Sequence, residues 1–157
     1  MKKLLLLMMF VAMPAFGKES EPVDPHILSC IKEAATRYGH DFLLMQAMAD
    51  TESSFRPAVV NTNKPSKRNP SGSKDVGLFQ INLDAWSLVL QKYGISITSL
   101  FDPCINSHFA GWILWENKKT YGDTWKAVGA FNSPTPERQQ EYIQRVWKNY
   151  RRLGGMA

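Results

Sequence analysis

Asp41-Phe42-Leu43-Leu44-Met45-Gln46-Ala47-Met48-Ala49-Asp50-Thr51-Glu52-Ser53 decides the reading of this chain. The leading Asp supplies an N-cap, and from Phe42 to Ala49 only Gln46 is polar, so the spacing predicts a helix apolar nearly all round. Such a helix is the most buried of its domain. Glu52 stands four residues after Met48 and eight after Leu44, so the buried stripe ends in a carboxyl at the C-terminal turn. Desolvation raises the pKa of a buried carboxyl, and the negative end of the helix dipole pushes the same way. A carboxyl that keeps its proton near neutral pH can serve as a general acid. A Glu at a frayed helix end, turned to solvent, fits the same position, and position alone leaves both readings open.

On the N-terminal side, Asp24 and Pro25 form an N-cap with proline at the first helical position. Ile27, Cys30, Ile31, Ala34, Ala35 and Tyr38 follow the helical series, and Gly39 ends it. Further back, Lys2 and Lys3, the apolar run Leu4 to Val11, and Ala15-Phe16-Gly17 have the form of a secretory signal peptide over residues 1–17. That run is too short to span a bilayer. The expected mature chain, residues 18–157, is one domain, exported to the periplasm.

On the C-terminal side, Phe55 to Lys74 carries three prolines and five basic side chains and is almost devoid of apolar residues. It reads as a long loop, a substrate-facing flap or a short hairpin. Val76 to Ile81 reads as a turn or strand-like passage against the core, with Gly77 inside it. Helical patterns then cover Leu83 to Tyr93, Asp102-Pro103 to Tyr121, Thr124 to Phe131, and a last helix opened by Thr135-Pro136 that carries Tyr142, Ile143, Val146 and Tyr150 on one face. Six helices and almost no strand predict a mainly α domain, without internal repeats.

Composition narrows the function classes. The 157 residues, 44% hydrophobic and 21% charged, exclude disorder and a multidomain machine. The net charge of +5 fits an anionic partner without requiring one, and no nucleic-acid recognition motif accompanies it. Two cysteines in an exported chain predict a Cys30–Cys104 disulfide. It would close a loop of about 75 residues, for roughly 4 kcal/mol of stability. His26, His40 and His108 show no metal-ligand spacing with them, so no metal or other cofactor is expected.

After Glu52-Ser53 come Asp75-Val76-Gly77-Leu78-Phe79-Gln80-Ile81-Asn82, then Ala130-Phe131-Asn132, then Tyr142-Ile143. The series resembles the lysozyme-like soluble lytic transglycosylases: Glu-Ser at a helix end, G-L-x-Q-I-N, A-[YF]-N, and a tyrosine in the final helix. The resemblance runs from about Ser29 to Tyr150. With Asp102-Pro103-Cys104, the early Cys30 and the small size, it points to the specialised members of the IagB and IpgF type, encoded with type III and type IV secretion systems and pili. It implies a lysozyme-like fold and cleavage of the β-1,4 bond between N-acetylmuramic acid and N-acetylglucosamine, leaving a 1,6-anhydro sugar.

By that resemblance Glu52 is the catalytic acid and then the base, and Ser53, Gly77, Gln80, Asn82, Asn132 and Tyr142 bind the glycan or orient the acid. Helix capping and loop hydrogen bonding are the bland roles for such side chains. Asp75 is a candidate helper whose charge steadies the developing cation, or else a turn residue before Gly77. Phe131 stands where many relatives carry tyrosine. Among the tryptophans, Trp86, Trp112, Trp115, Trp125 and Trp147, a sugar platform is conceivable, though helical spacing favours the core. The expected partners are peptidoglycan strands and a secretion or pilus component, and the expected state is a monomer. Two rivals remain: a hydrolytic lysozyme in which Asp75 directs water, and a non-catalytic glycan-binding module, which has no need of Glu52.

Overall fold

The computed structural model describes residues 22–65 and 70–156. The expected signal peptide and two of the basic loop residues, Lys67 and Arg68, lie outside the described residues. In chain order come α1 (Pro25–Tyr38), α2 (Phe42–Ser53), β1 (Val60–Asn63), β2 (Ser73–Val76), β3 (Ile81–Asn82), α3 (Leu83–Lys92), a 3-10 turn (Thr98–Phe101), α4 (Pro103–Tyr121), α5 (Trp125–Asn132) and α6 (Pro136–Arg152). The mainly α architecture is the expected one, and each helix falls within a residue or two of its sequence limits.

The helix starts follow from side-chain capping of otherwise orphaned N–H groups. Asp24 accepts from the His26 N–H, Asp41 from Leu43 and Leu44, Asn82 from Ala85, and Asp102 from Cys104 and Ile105. Gly39 closes α1 in the left-handed region and turns the chain directly into the cap of α2. No residue of α2 is exposed, as its composition requires. Met45, Ala47, Met48 and Ala49 are fully buried, and α2 packs between α1 and α6.

The segment after α2 contains a short hairpin, one of the readings its composition allowed. β1 pairs antiparallel with β2, and β2 with the two-residue β3, in register Asn61↔Asp75↔Asn82 and Val60↔Val76↔Ile81. Period-two alternation puts Asn61, Asn63, Ser73, Asp75 and Asn82 on one face and sends Val76 and Ile81 into the core. The bounds of β1 were illegible because it is exposed throughout, so apolar patterning gave no signal for them.

Cys30 and Cys104 are disulfide-bonded, which ties α1 to the first turn of α4. His26, four residues before Cys30 on α1, comes within 3.8 Å of the Cys30 sulfur, the ordinary i, i+4 proximity of a helix. Both sulfurs are committed to the disulfide, so this group offers no thiolate ligands.

Candidate active site

Glu52 occupies the penultimate position of α2, and the chain leaves the helix through Ser54 and Phe55, both at positive φ (52° and 59°). The site depends on what fixes this exit. Ser53, the last residue of α2, is buried. Its hydroxyl donates 2.7 Å to the Leu78 carbonyl and accepts from the Arg56 N–H, locking the end of α2 to the turn between β2 and β3.

That turn is fixed from its other side by Asn106 of α4, completely buried. The Asn106 amide donates to the carbonyls of Val76 (3.0 Å) and Leu100 (2.8 Å), and its oxygen accepts from the Phe79 N–H (2.8 Å). Gly77 has φ 84°, and a Cβ there would collide with the Leu100 carbonyl and the Asn106 amide. Glycine is required by this close approach to protein and by its dihedral. Gln80 takes positive φ (49°) without being glycine, held there by its side-chain amide, which donates to the Gly77 and Val59 carbonyls.

These constraints shape a cavity of about 80 Å³ with Glu52 in its wall. Asp75, Gln80 and Asn82 contribute from the sheet side, Asn132 and Phe131 from the end of α5, and Ile81, Trp86 and Ile113 supply apolar surface. Of the residues expected at the site, five line this cavity: Glu52, Asp75, Gln80, Asn82 and Asn132. Ser53, Gly77 and Tyr142 stand behind it.

Burial pushes the Glu52 carboxyl up to about 7 from 4.5. The Tyr142 hydroxyl and the charge of Arg145 pull it partly back, and the Asp75 charge adds to the rise. Tyr142 is completely buried on α6, and its hydroxyl, without a hydrogen bond of full geometry, faces Glu52. The Tyr142 proton is itself held tightly, by burial first and then by the neighbouring Glu52 charge. Phe131 stacks on the Tyr142 ring with centroids 6.4 Å apart.

Asp75 is held differently. Asn63 donates 2.7 Å to one of its oxygens and Asn82 donates 2.6 Å to the other. Both asparagines also donate to the Ser73 hydroxyl, at 3.0 Å. Asn82 is therefore at once the cap of α3, a holder of Asp75 and a lining residue. Asn63 and Ser73 were not anticipated. Their signal was available: they share with Asp75 the polar face that strand alternation creates.

Trp86 is the tryptophan that reaches the cavity, braced edge-on by Phe109 and Trp112 at 5.9 and 5.6 Å. Arg145 was likewise missed, because it follows Tyr142 by one helical turn on a face that reads as solvated.

A transglycosylase SLT domain model matches residues 29–152, nearly the whole of the described chain. The chain belongs to this family. Similar curated proteins include the invasion protein IagB of Salmonella typhimurium (strain SL1344), 37% identical over 133 residues that cover 82% of this chain and 79% of the relative. Protein IpgF of Shigella flexneri is 36% identical over 136 residues, covering 82% of this chain and 85% of that protein. X polypeptide of Escherichia coli (strain K12) is 28% identical over 122 residues, covering 77% and 68%. The SLT membership makes the chain a peptidoglycan lytic transglycosylase of lysozyme-like fold. No described helix is long and apolar enough to cross a membrane.

Proposed function

We propose that Glu52 cleaves the β-1,4 bond between N-acetylmuramic acid and N-acetylglucosamine, acting first as acid and then as base. The observation that carries this reading is a carboxyl pushed by burial to about 7 in the wall of a cavity shared with Asp75, Gln80 and Asn132. Near neutral pH a substantial fraction of it is protonated and can donate to the glycosidic oxygen as the bond to C1 breaks. The N-acetylglucosamine side leaves as an alcohol. The muramoyl C1 carries the developing positive charge, and its own C6 hydroxyl attacks, giving its proton to the Glu52 carboxylate. The acid is restored, no water is consumed, and a 1,6-anhydro ring closes. The substrate's own N-acetyl group can share the charge, so a second protein nucleophile is not needed.

Asp75 is a helper in this scheme. Its carboxylate, fixed by two amide donors, stabilises positive charge in the cleft and opposes ionisation of Glu52. The same fixed carboxylate favours one second reading, hydrolysis, in which it would direct a water to C1. Mass analysis of muropeptides after complete digestion separates the two. Anhydro ends support the transglycosylase reading, and reducing ends would replace it with hydrolysis.

We place this activity in the periplasm, after export by residues 1–17, with residues 18–157 as a single monomeric domain. The invasion-protein names of the IagB relatives support a role in opening the wall locally for a secretion system or pilus. The relevant partners are then peptidoglycan strands and a component of that apparatus. No cofactor enters the scheme.

A further inference from the structure

Away from the cleft, a cavity of about 400 Å³ opens at the far end of the helices that build the site. Asp41, the N-cap of α2, lies in its wall, so the length of that helix, about 16 Å at 1.5 Å per residue, separates it from Glu52. The other helices repeat the pattern. α5 ends in Asn132 at the cleft and begins with Trp125 at this cavity, and α6 carries Tyr142 behind Glu52 but Trp147 and Tyr150 here.

Trp125, Trp147 and Tyr150 form one cluster, with ring centroids 5.2, 5.8 and 6.1 Å apart, and all three are half-buried. Half-buried rings in a concave wall leave aromatic carbon for a ligand to cover. The polar groups of the wall decide which ligand fits. Lys118 and Asp123 pair at 2.7 Å, and the Asp41 carboxylate accepts from the Leu43 and Leu44 N–H groups and from the Tyr150 hydroxyl. Both carboxylates are thus engaged, and a lysine stands beside them, which disfavours an ammonium ligand despite the aromatic rings. Two carboxylates disfavour an anion in turn. A neutral ligand with an apolar face and hydrogen-bonding edges remains. A pyranose ring has that form: its C–H face covers aromatic carbon, while its hydroxyl and acetamido groups meet the lysine and the spare carboxylate lone pairs.

We infer that this cavity is a second glycan site, which holds an uncleaved peptidoglycan strand while another strand occupies the cleft. Membership of the transglycosylase SLT family makes that polymer the one the chain meets. A second hold on an insoluble network raises the effective concentration of the strand to be cut, with no new contact in the cleft. Such a site adds to the reaction rather than explaining it, and it stands whether or not Glu52 is the acid.

Binding and turnover test it together. Peptide-free glycan strands are titrated into nitrogen-15-labelled protein in the Glu52→Gln background, with Trp125→Phe and Trp147→Phe used to assign the indole N–H signals. The Trp125 and Trp147 signals should shift saturably, while Trp86 reports the cleft. If both stay in place, whatever Trp86 does, the second site is overturned. In otherwise unaltered protein, Trp125→Ala should raise KM for intact sacculi about ten-fold and leave the turnover of a soluble tetrasaccharide, which needs only the cleft, unchanged. Thr124→Arg, at an exposed position of the same cavity, should do likewise without removing a packed ring. An equal loss on both substrates, or no loss on sacculi in the variants that fold, would overturn it as well.

Discussion

Two carboxyl groups share the cleft, and the regions that carry them are built by opposite rules. The end of α2 delivers Glu52 out of a helix with no exposed residue, into a setting where burial outweighs every charged neighbour and the proton is retained. The hairpin delivers Asp75 from a partly exposed strand, where two asparagine amides engage both of its oxygens as acceptors. One region makes its carboxyl reactive by withholding partners, and the other makes its carboxylate fixed by supplying them. A cleft with a proton donor on one side and a stationary negative charge on the other follows from that difference.

The sharpest way to break the comparison is Glu52→Gln, since the amide keeps shape and cannot give up the proton. Lysis should fall by about a thousand-fold or more while the fold and strand binding persist. A folded variant with near-native turnover removes Glu52 from the acid role. Opening the disulfide is the control outside both regions, on the α1–α4 side. Reduction should cost up to roughly 4 kcal/mol, read as a lower melting temperature, and leave the pH dependence of lysis where it was. Thiol titration of the unfolded, unreduced protein should find no free cysteine.

Glu52→Gln also separates the regions thermodynamically. A carboxyl at about 7 in the folded state and near 4.5 unfolded binds its proton more tightly when folded. The native state is therefore penalised progressively as pH rises from 4.5 through 7, by about 3 kcal/mol once both states are ionised. Denaturant unfolding should find the variant no more stable than its parent at about pH 4, and more stable by up to that amount at about pH 8. The smallest effect belongs to Asp75→Asn. Turnover should fall roughly ten-fold, about 1.4 kcal/mol at the barrier. Asn82 cannot turn its amide around, because its oxygen caps α3, whereas the exposed Asn63 can flip to accept from the new amide. The melting temperature should thus change little. Unaltered turnover and pH profile would leave Glu52 acting alone.

The two regions also differ in how far the chain could be read. Helical periodicity carries packing information, so α2 and its Asp41 cap were legible from residue spacing, which left open whether Glu52 at its end faces the interior or solvent. Family motifs added Gln80, Asn82, Asn132 and Tyr142, though not what each one does. Ser53 proves to be an interior fastener to Leu78, and Gly77 a steric necessity against Asn106 and the Leu100 carbonyl. The hairpin was legible only as one of several readings of a long polar stretch, because β1 buries nothing and its pairing with β2 is a long-range fact. Asn63 and Ser73 follow once the register is known, and Asn106 joins the site only through the packing of α4 against it.

Direct titration of the Glu52 carboxyl tests the central claim. In protein carrying carbon-13 at the glutamate side-chain carboxyl carbons, with Glu52→Gln used to assign the resonance, the Glu52 signal should titrate with a midpoint at about 7. A midpoint in the ordinary glutamate range, near 4.5, would mean that the end of α2 does not hold its proton and would contradict the account.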